Sequence, residues 1–500
     1  MKKHIAVHNT CEKLDSSSDT LSVYLNLHTI FAHDQLFLLE SLYGPQKDRK
    51  ASFVGFNPLL TLALHKTRLT LSGDPALISA LNPLLNHSPY LKKIDDQRYD
   101  LIELPMLWNF LREMESLFNV DYSGEPLDIR FGFFGYFGYD IVHAIESLPH
   151  RIEDPTDFPE LMLSLYQGMV YTDLAHDQTY LIINEFETAS YRSADNIKML
   201  LSKPVTPADP LSLPVPAPEN ITDSIRKKDY LPWVDRALEH IGLGDIYQIQ
   251  IGHMLTITSS IDPFLVYQRL RVQNPSPYMY FTTMNGVTII GASPELFMSQ
   301  SGRKITMRPI AGTIRRGRNA QEDAQLKAEL LADPKEQAEH VMLVDLGRND
   351  IGRVCEKNTL NVSDLMIVEQ YSHVFHIVSN VEGQLATNYD HYDVIKATFP
   401  AGTVTGAPRI RAMELIEDIE NKRRGLYAGC LGFFDVRGNF ETALCIRTAV
   451  YRDGQYMIRA SGGIVADSDP SKEWAETISK LSSTYLAITG RELRDEHFIN

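Results

Sequence analysis

Apolar positions along this chain alternate with period two in some segments and follow a helical period in others. Tyr278 to Met284 and Val287 to Gly291 read as strands, and Asn285-Gly286 between them suits a tight hairpin turn. Leu431 to Val436, Phe440 to Arg452 and Gln455 to Ser461 are separated by Arg437-Gly438-Asn439 and Asp453-Gly454, which predicts a three-strand meander. Pro408 suits the first position of a helix with Ile410, Met413, Ile416 and Ile419 on one apolar face. Lys422-Arg423-Arg424-Gly425 then supplies cations and a glycine at its end. Two more helices open alike, on Asp333-Pro334 and Asp469-Pro470, because Asp accepts from free backbone N–H groups and Pro needs no donor in the first turn. In Phe131 to Tyr139, glycines at 132, 135 and 138 interrupt dense aromatics. No Lys-Ser/Thr follows to make a phosphate loop, so close backbone approach within a strand is the expectation.

Prolines at 204, 207, 210, 214, 216 and 218 remove too many backbone donors for a central strand or helix. The expected organisation is an N-terminal unit over 1–205, a linker over 206–224 and a C-terminal unit over 225–500. Antiparallel strands with separate helices make the fold class α+β. The 500 residues, 44% hydrophobic, suffice for a sizeable core. A net charge of −16 argues against a nucleic-acid partner and requires local counter-charges around any acidic ligand. The four cysteines are scattered, and neither a secretory signal nor a bilayer-length apolar run is visible. The expectation is a soluble protein of the reducing cytoplasm, without a membrane partner.

Chemistry concentrates in the C-terminal half. Glu336 and Glu339, like Glu473 and Glu476, are three apart and share a helical face. Four converging carboxylates would repel unless they held a hard cation such as Mg²⁺, although acidic first turns also serve simply as caps. Arg447, in the strand-like Cys445 to Val450, needs either a ligand carboxylate or an internal salt bridge. Ser461-Gly462-Gly463 leaves backbone donors bare at a strand end, and the Pro400 to Ala407 loop points donors outward at a helix start. Together these describe a pocket for a small molecule with two carboxylates, one on a metal and one on Arg447. His376 lies in an apolar stretch, where a core histidine is the default. No nucleophile elbow, dinucleotide fingerprint or Walker loop is present.

Pro309 to Thr313, Asp345 to Asp350, Phe399 to Pro408 and Gly463 to Ser468 resemble segments of the chorismate-utilising enzymes, and within them the large subunits of anthranilate synthase. Leu38 to Ser41, Gly132 to Asp140 and Asn274 to Tyr280 are similar to that subunit's segments, so the resemblance covers nearly the whole chain. It implies Mg²⁺ at Glu336, Glu339, Glu473 and Glu476, with Glu339 and Glu476 as direct ligands. It implies that Tyr427 and Arg447 hold the enolpyruvyl carboxylate beside Ser461, Gly462 and Gly463. Glu295 matches the acid that protonates the departing ring hydroxyl, and His376 and Thr403 match positions for ring chemistry and pyruvate loss. Ser41, Asn274, Pro277, Tyr278 and Met279 match a feedback pocket for L-tryptophan. Water-adding relatives carry Lys where Gln248 stands, and water needs a general base whereas ammonia has its own lone pair. Ala311 replaces a nucleophilic Lys found in many aminodeoxychorismate synthases. The implied reaction is Mg²⁺-dependent conversion of chorismate and ammonia to anthranilate and pyruvate, the first committed step of tryptophan biosynthesis. A separate glutamine amidotransferase subunit would supply the ammonia. The alternative is an aminodeoxychorismate or aminodeoxyisochorismate synthase that retains the enolpyruvyl group, toward which Ala460-Ser461-Gly462-Gly463 leans where anthranilate synthases usually show Ala-Gly-Ala-Gly.

Overall fold

The computed structural model describes residues 4–15, 19–152, 158–187 and 193–494. It is an α+β structure in which strands pair antiparallel, except where Ile5–Lys13 runs parallel to Phe118–Gly124, and helices pack outside. The hairpin forms as read: Tyr278–Met284 pairs with Val287–Ser293, and Asn285 and Gly286 take φ of 48° and 77°. The Pro-rich stretch carries no helix or strand until Asn220–Asp223, which pairs with Gln248–Thr258. Strands from either side of it also meet, Leu36–Glu40 with Tyr278–Met284 and Gly132–Phe137 with Cys430–Asp435. The glycines of that aromatic strand are needed for close approach. A Cβ on Gly132 would stand 1.9 Å from the Phe434 carbonyl oxygen, and one on Gly135 1.9 Å from that of Met162.

The expected meander is corrected. Phe440–Leu444 pairs with Cys430–Asp435 and Leu296–Ser301, whereas Thr448–Arg452 pairs with Val287–Ser293 and Gln455–Ile464. The single predicted strand over 440–452 is therefore two, and the break falls at Arg447, whose φ is 51°. A non-glycine residue in that region costs about 1–3 kcal/mol unless its surroundings hold it there. Strand alternation thus does not orient Arg447; the left-handed turn does.

The helix after Pro408 runs Arg409–Ile419, and its buried face is built by Ala412, Met413, Leu415, Ile416 and Ile419. Ile410 is off that face and exposed. Lys422 to Gly425 lie beyond the helix and do not cap its dipole. Instead Arg424 meets buried Glu420 at 2.9 Å and donates to the carbonyls of Val404 and Gln250, while Arg423 pairs with Glu417 and Asp140.

Both Asp-Pro helices are present as Pro334–Gly352 and Pro470–Thr489. Asp333 Oδ1 accepts from the backbone of Lys335 and Glu336 at 2.8 and 3.3 Å, and Asp469 Oδ1 from that of Lys472 at 3.0 Å. Trp474, Ile478, Leu481 and Tyr485 bury one face of the second helix, at about 1.5–3 kcal/mol per large side chain. Trp474 stacks on His253 with centroids 4.6 Å apart. That burial aims Glu476 the other way, out of the core.

Candidate active site

The site gathers around the strand pair Gln248–Thr258 and Gln455–Ile464, where Gln250 faces Gly463 and Ile251 faces Gly462. Gln248 Nε2 donates to Glu339 Oε1 at 2.7 Å, which ties this pair to the Pro334 helix. Added Cβ atoms map the remaining carboxylates: one on Gly312 would lie 3.1 Å from Glu336 Oε2, and one on Gly462 3.0 Å from Glu473 Oε2. One on Gly463 would lie 3.1 Å from Gln248 Nε2. Lys480 Nζ bridges the Ser461 carbonyl at 2.8 Å and Glu476 Oε1 at 2.6 Å.

The glutamates feel one another. Glu336 is raised above the ordinary carboxyl range by burial first, then by Glu339, Asp333 and Glu476. Glu339 is raised by burial and Glu476, against the bond from Gln248, and Glu473 by burial and Glu476, against a bond to Ser468. Glu473 Oε2, Gln248 Oε1 and Ser461 Oγ are buried without a hydrogen-bond partner. Mutually repelling carboxylates with an orphaned oxygen, partly open to solvent, suit a hard divalent cation that keeps water or substrate ligands. Asp140, His143 and Glu417 are packed more tightly, with ligand atoms within 4.8 Å of one another, but Arg423 pairs with both carboxylates there and supplies the charge.

Glu295 lies in the short link between Val287–Ser293 and Leu296–Ser301, held where its carbonyl accepts from Leu444 N at 3.0 Å. Its side chain is buried, and Oε1 accepts from Thr403 Oγ1 at 2.9 Å. Burial pushes the carboxyl up to about 8, despite the Thr403 bond and the charges of Arg447 and Lys480. It is an acid kept protonated near neutral pH.

His376 faces Thr313 across a bulge in the pairing of Ile310–Arg315 with Val374–Gln384, created where Gly312 takes φ of 74°. Its Nδ1 lies 2.9 Å from Thr313 Oγ1 and 3.2 Å from the Gly312 carbonyl. That anchor implies N–H at Nδ1 and leaves Nε2 as the lone-pair nitrogen. Burial lowers the imidazole to about 4, and the Arg447 and Lys480 charges add to this, so the ring is neutral.

Arg447 is partly buried, and among the described residues no ion pair or hydrogen bond engages its guanidinium. Among the described residues the internal salt bridge open to it in sequence is absent. Burial lowers its pKa, while Tyr427, Glu476 and Glu295 raise it. Tyr427 packs its ring against Arg424 and Arg459, 5.7 and 5.8 Å from the centroid.

Ser41, Pro277, Tyr278 and Met279 line one cavity with Leu39 and Phe53. Ser41 Oγ donates to the Pro277 carbonyl at 2.6 Å, and Asn274 caps the end of the helix Pro263–Gln273 nearby.

Sequence reasoning missed Lys480, whose signal was its place four residues after Glu476 on one helical face. It also missed the buried Asp350–Arg409 pair at 2.8 Å. Arg409 there donates to the carbonyls of Thr398 and Ala397, both at 3.0 Å, at the end of the helix His391–Thr398, and to that of Pro400 at 3.5 Å where the loop to Thr403 begins.

Residues 91–485 match the family of chorismate binding enzymes. A 2-amino-4-deoxychorismate synthase of Streptomyces globisporus is 46% identical over 475 residues, covering 95% of each chain. Anthranilate synthase component 1 of Aquifex aeolicus is 41% identical over 366 residues, 71% of this chain and 74% of that one. The crystal structure of anthranilate synthase component I from Streptococcus pneumoniae superposes with a TM-score of 0.70 at 31% identity, covering 87% of this chain and 92% of that one. With the family match spanning most of its length and these relatives covering most of it, the chain belongs to the chorismate-utilising enzymes.

Proposed function

We propose that this chain aminates chorismate with ammonia, dependent on Mg²⁺, displacing the ring hydroxyl. The observation that carries the proposal is a buried acid held by Thr403, Glu295, within electrostatic reach of Arg447, a guanidinium without an ion pair among the described residues, which also feels Glu476 of the mutually repelling glutamates. Glu336, Glu339, Glu473 and Glu476 would hold Mg²⁺, which when bound offers positive charge to the ring carboxylate and eases loss of the hydroxyl. Arg447 takes the enolpyruvyl carboxylate in a bidentate grip, with Tyr427 beside it. Glu295, oriented by Thr403, gives its proton to the departing hydroxyl, which leaves as water. Gln248 offers no base to activate water, and Ala311 no nucleophile, so ammonia adds by its own lone pair. Ser461, Gly462 and Gly463 let the strand backbone approach the substrate. A glutamine amidotransferase partner supplies the ammonia.

The product we assign keeps the enolpyruvyl arm, as the name of the 46% identical relative describes. Ser461-Gly462 leans the same way. A second reading, elimination of pyruvate to anthranilate, is favoured by His376, whose neutral ring has Nε2 free to take a proton. L-Tryptophan in the Ser41–Met279 cavity belongs with this second reading. Purified chain with chorismate, MgCl₂ and an ammonium salt decides by mass spectrometry. An ion retaining the pyruvyl carbons supports the first product, fluorescent anthranilate the second, and unconsumed chorismate refutes the amination itself.

A further inference from the structure

His253 has no part in the proposed reaction, yet it is wholly buried in the strand Gln248–Thr258. An imidazole is buried there at little cost only if both its nitrogens find partners. Nδ1 lies 2.8 Å from Asp223 Oδ1, and Nε2 lies 2.8 Å from Thr477 Oγ1. Asp223 ends the strand Asn220–Asp223 that follows the Pro-rich stretch, and Thr477 belongs to the helix Pro470–Thr489. Asp, His and Thr in line have the order of a nucleophilic triad. Thr477, however, is buried, and its hydroxyl gives its proton to the Trp474 carbonyl at 2.7 Å. Toward His253 that hydroxyl can only accept, so Nε2 donates. Asp223 Oδ1 also accepts from Ile225 N at 3.2 Å, as a carboxylate does, so Nδ1 donates as well. With hydrogen on both nitrogens, the ring is the positive half of a buried pair with Asp223.

The same ring grips the helix a second time. Trp474 lies against it with 4.6 Å between centroids and 16° between planes. Tyr230 closes the box, meeting Trp474 and His253 edge-on at 5.3 and 5.9 Å. Trp474 and Thr477, three apart, are thus held from one side. Glu473 and Glu476 precede them by one residue each, so they stand about 100° further around the axis. The grip therefore sets the roll of the helix. A roll of about 20° would swing a side-chain end lying about 5–6 Å from the axis by about 2 Å. Mg²⁺ takes its oxygen ligands at about 2.0–2.1 Å in a near-ideal octahedron, so a swing of that size would spoil the shell. Resting on the reading of the four glutamates as the Mg²⁺ site, we infer that His253, held by Asp223, is a positioning residue that orients Glu473 and Glu476 for the metal.

The test titrates Mg²⁺ into the full chain by isothermal calorimetry, on native protein, His253→Phe, Thr477→Val and Leu62→Ala. His253→Phe keeps a ring for the stack and removes both donors, whereas Thr477→Val keeps the shape and removes the acceptor. Leu62→Ala opens a cavity in a different core from that of Trp474 and controls for lost stability alone. Each grip variant should weaken the Mg²⁺ Kd about 10–100-fold, as losing a group behind a metal ligand does. Raising Mg²⁺ should restore most of the ammonium-supported turnover of Thr477→Val. The control should melt earlier and keep the native Kd. A native Kd in either grip variant overturns the inference, and so does an equal weakening in the control. Should His253→Phe fail to fold, Thr477→Val decides alone. Native chain that binds no Mg²⁺ sinks the metal reading, and the inference with it.

Discussion

Glu295→Gln keeps the shape of the carboxyl and removes its ionisation. In the folded chain Glu295 is raised from 4.5 to about 8 by burial. Between those values the folded state holds a proton that the unfolded state has lost. The stabilising contribution of Glu295 is therefore complete below its unfolded value and fades as pH rises through the folded one. The whole effect is about 5 kcal/mol, and moving from about pH 5.5 to about pH 8 removes roughly 3 kcal/mol of it. Gln cannot ionise, so the variant should gain on the native chain by that amount. For 500 residues melting as one unit this is about 3 °C in the difference between their Tm values. Calorimetry of both proteins at both pH values measures it. Turnover supplies the second readout. At fixed free ammonia the native rate should fall as pH rises through about 8, where Glu295 loses its proton, and below that pH the variant should be slower by about 10²–10⁴-fold and show no such fall. If the Tm difference between the proteins is the same at both pH values, Glu295 is not a buried neutral acid and the proton donor assigned here is wrong.

Mg²⁺ at about 100 times its Kd should stabilise the chain by about 2.7 kcal/mol, and Glu339→Gln/Glu476→Gln should lose that response in a thermal-shift titration. Asp350→Asn leaves Arg409 without its buried counter-ion and should cost about 3–5 kcal/mol in urea unfolding. Because Arg409 also anchors the helix end and Pro400 from which the Thr403 loop departs, kcat should drop more than KM rises. Saturating L-tryptophan should inhibit an enzyme of the anthranilate reading and spare one that retains the enolpyruvyl arm. If inhibition occurs, Tyr278→Ala should abolish it and leave the uninhibited rate unchanged, which a dose–response series reads directly.

Features written within a few residues were legible. Asp-Pro caps announced both acidic helices because capping is a local hydrogen bond. The Asn285-Gly286 turn and the aromatic–glycine strand were legible because each demands glycine for a local steric reason. The supporting pairs were not. Asp350 finds Arg409 from 59 residues away, and Arg459 finds Glu420 from 39 residues away, so neither pairing has a local signature. Thr403 meets Glu295 across 108 residues, and only the family resemblance pointed to both.

The two failures of local pattern carry the most chemical information. Nothing in Cys445-Ile446-Arg447-Thr448 signals a break, since none of these residues is a glycine, proline or asparagine that favours one. Yet the chain turns left-handed at Arg447 and parts two strands there. Ile410 has the spacing of a core residue and is left in solvent. Packing alone would have kept the strand continuous and buried the isoleucine. A folded chain that accepts strain at one position and exposed apolar surface at another is stabilised less than its sequence allows, and such concessions gather where something must bind. At Arg447 the concession leaves a half-buried guanidinium without an ion pair among the described residues. At Ile410 it leaves an apolar side chain in solvent, in the first turn of the helix that follows the loop bearing Thr403, the residue that donates to Glu295.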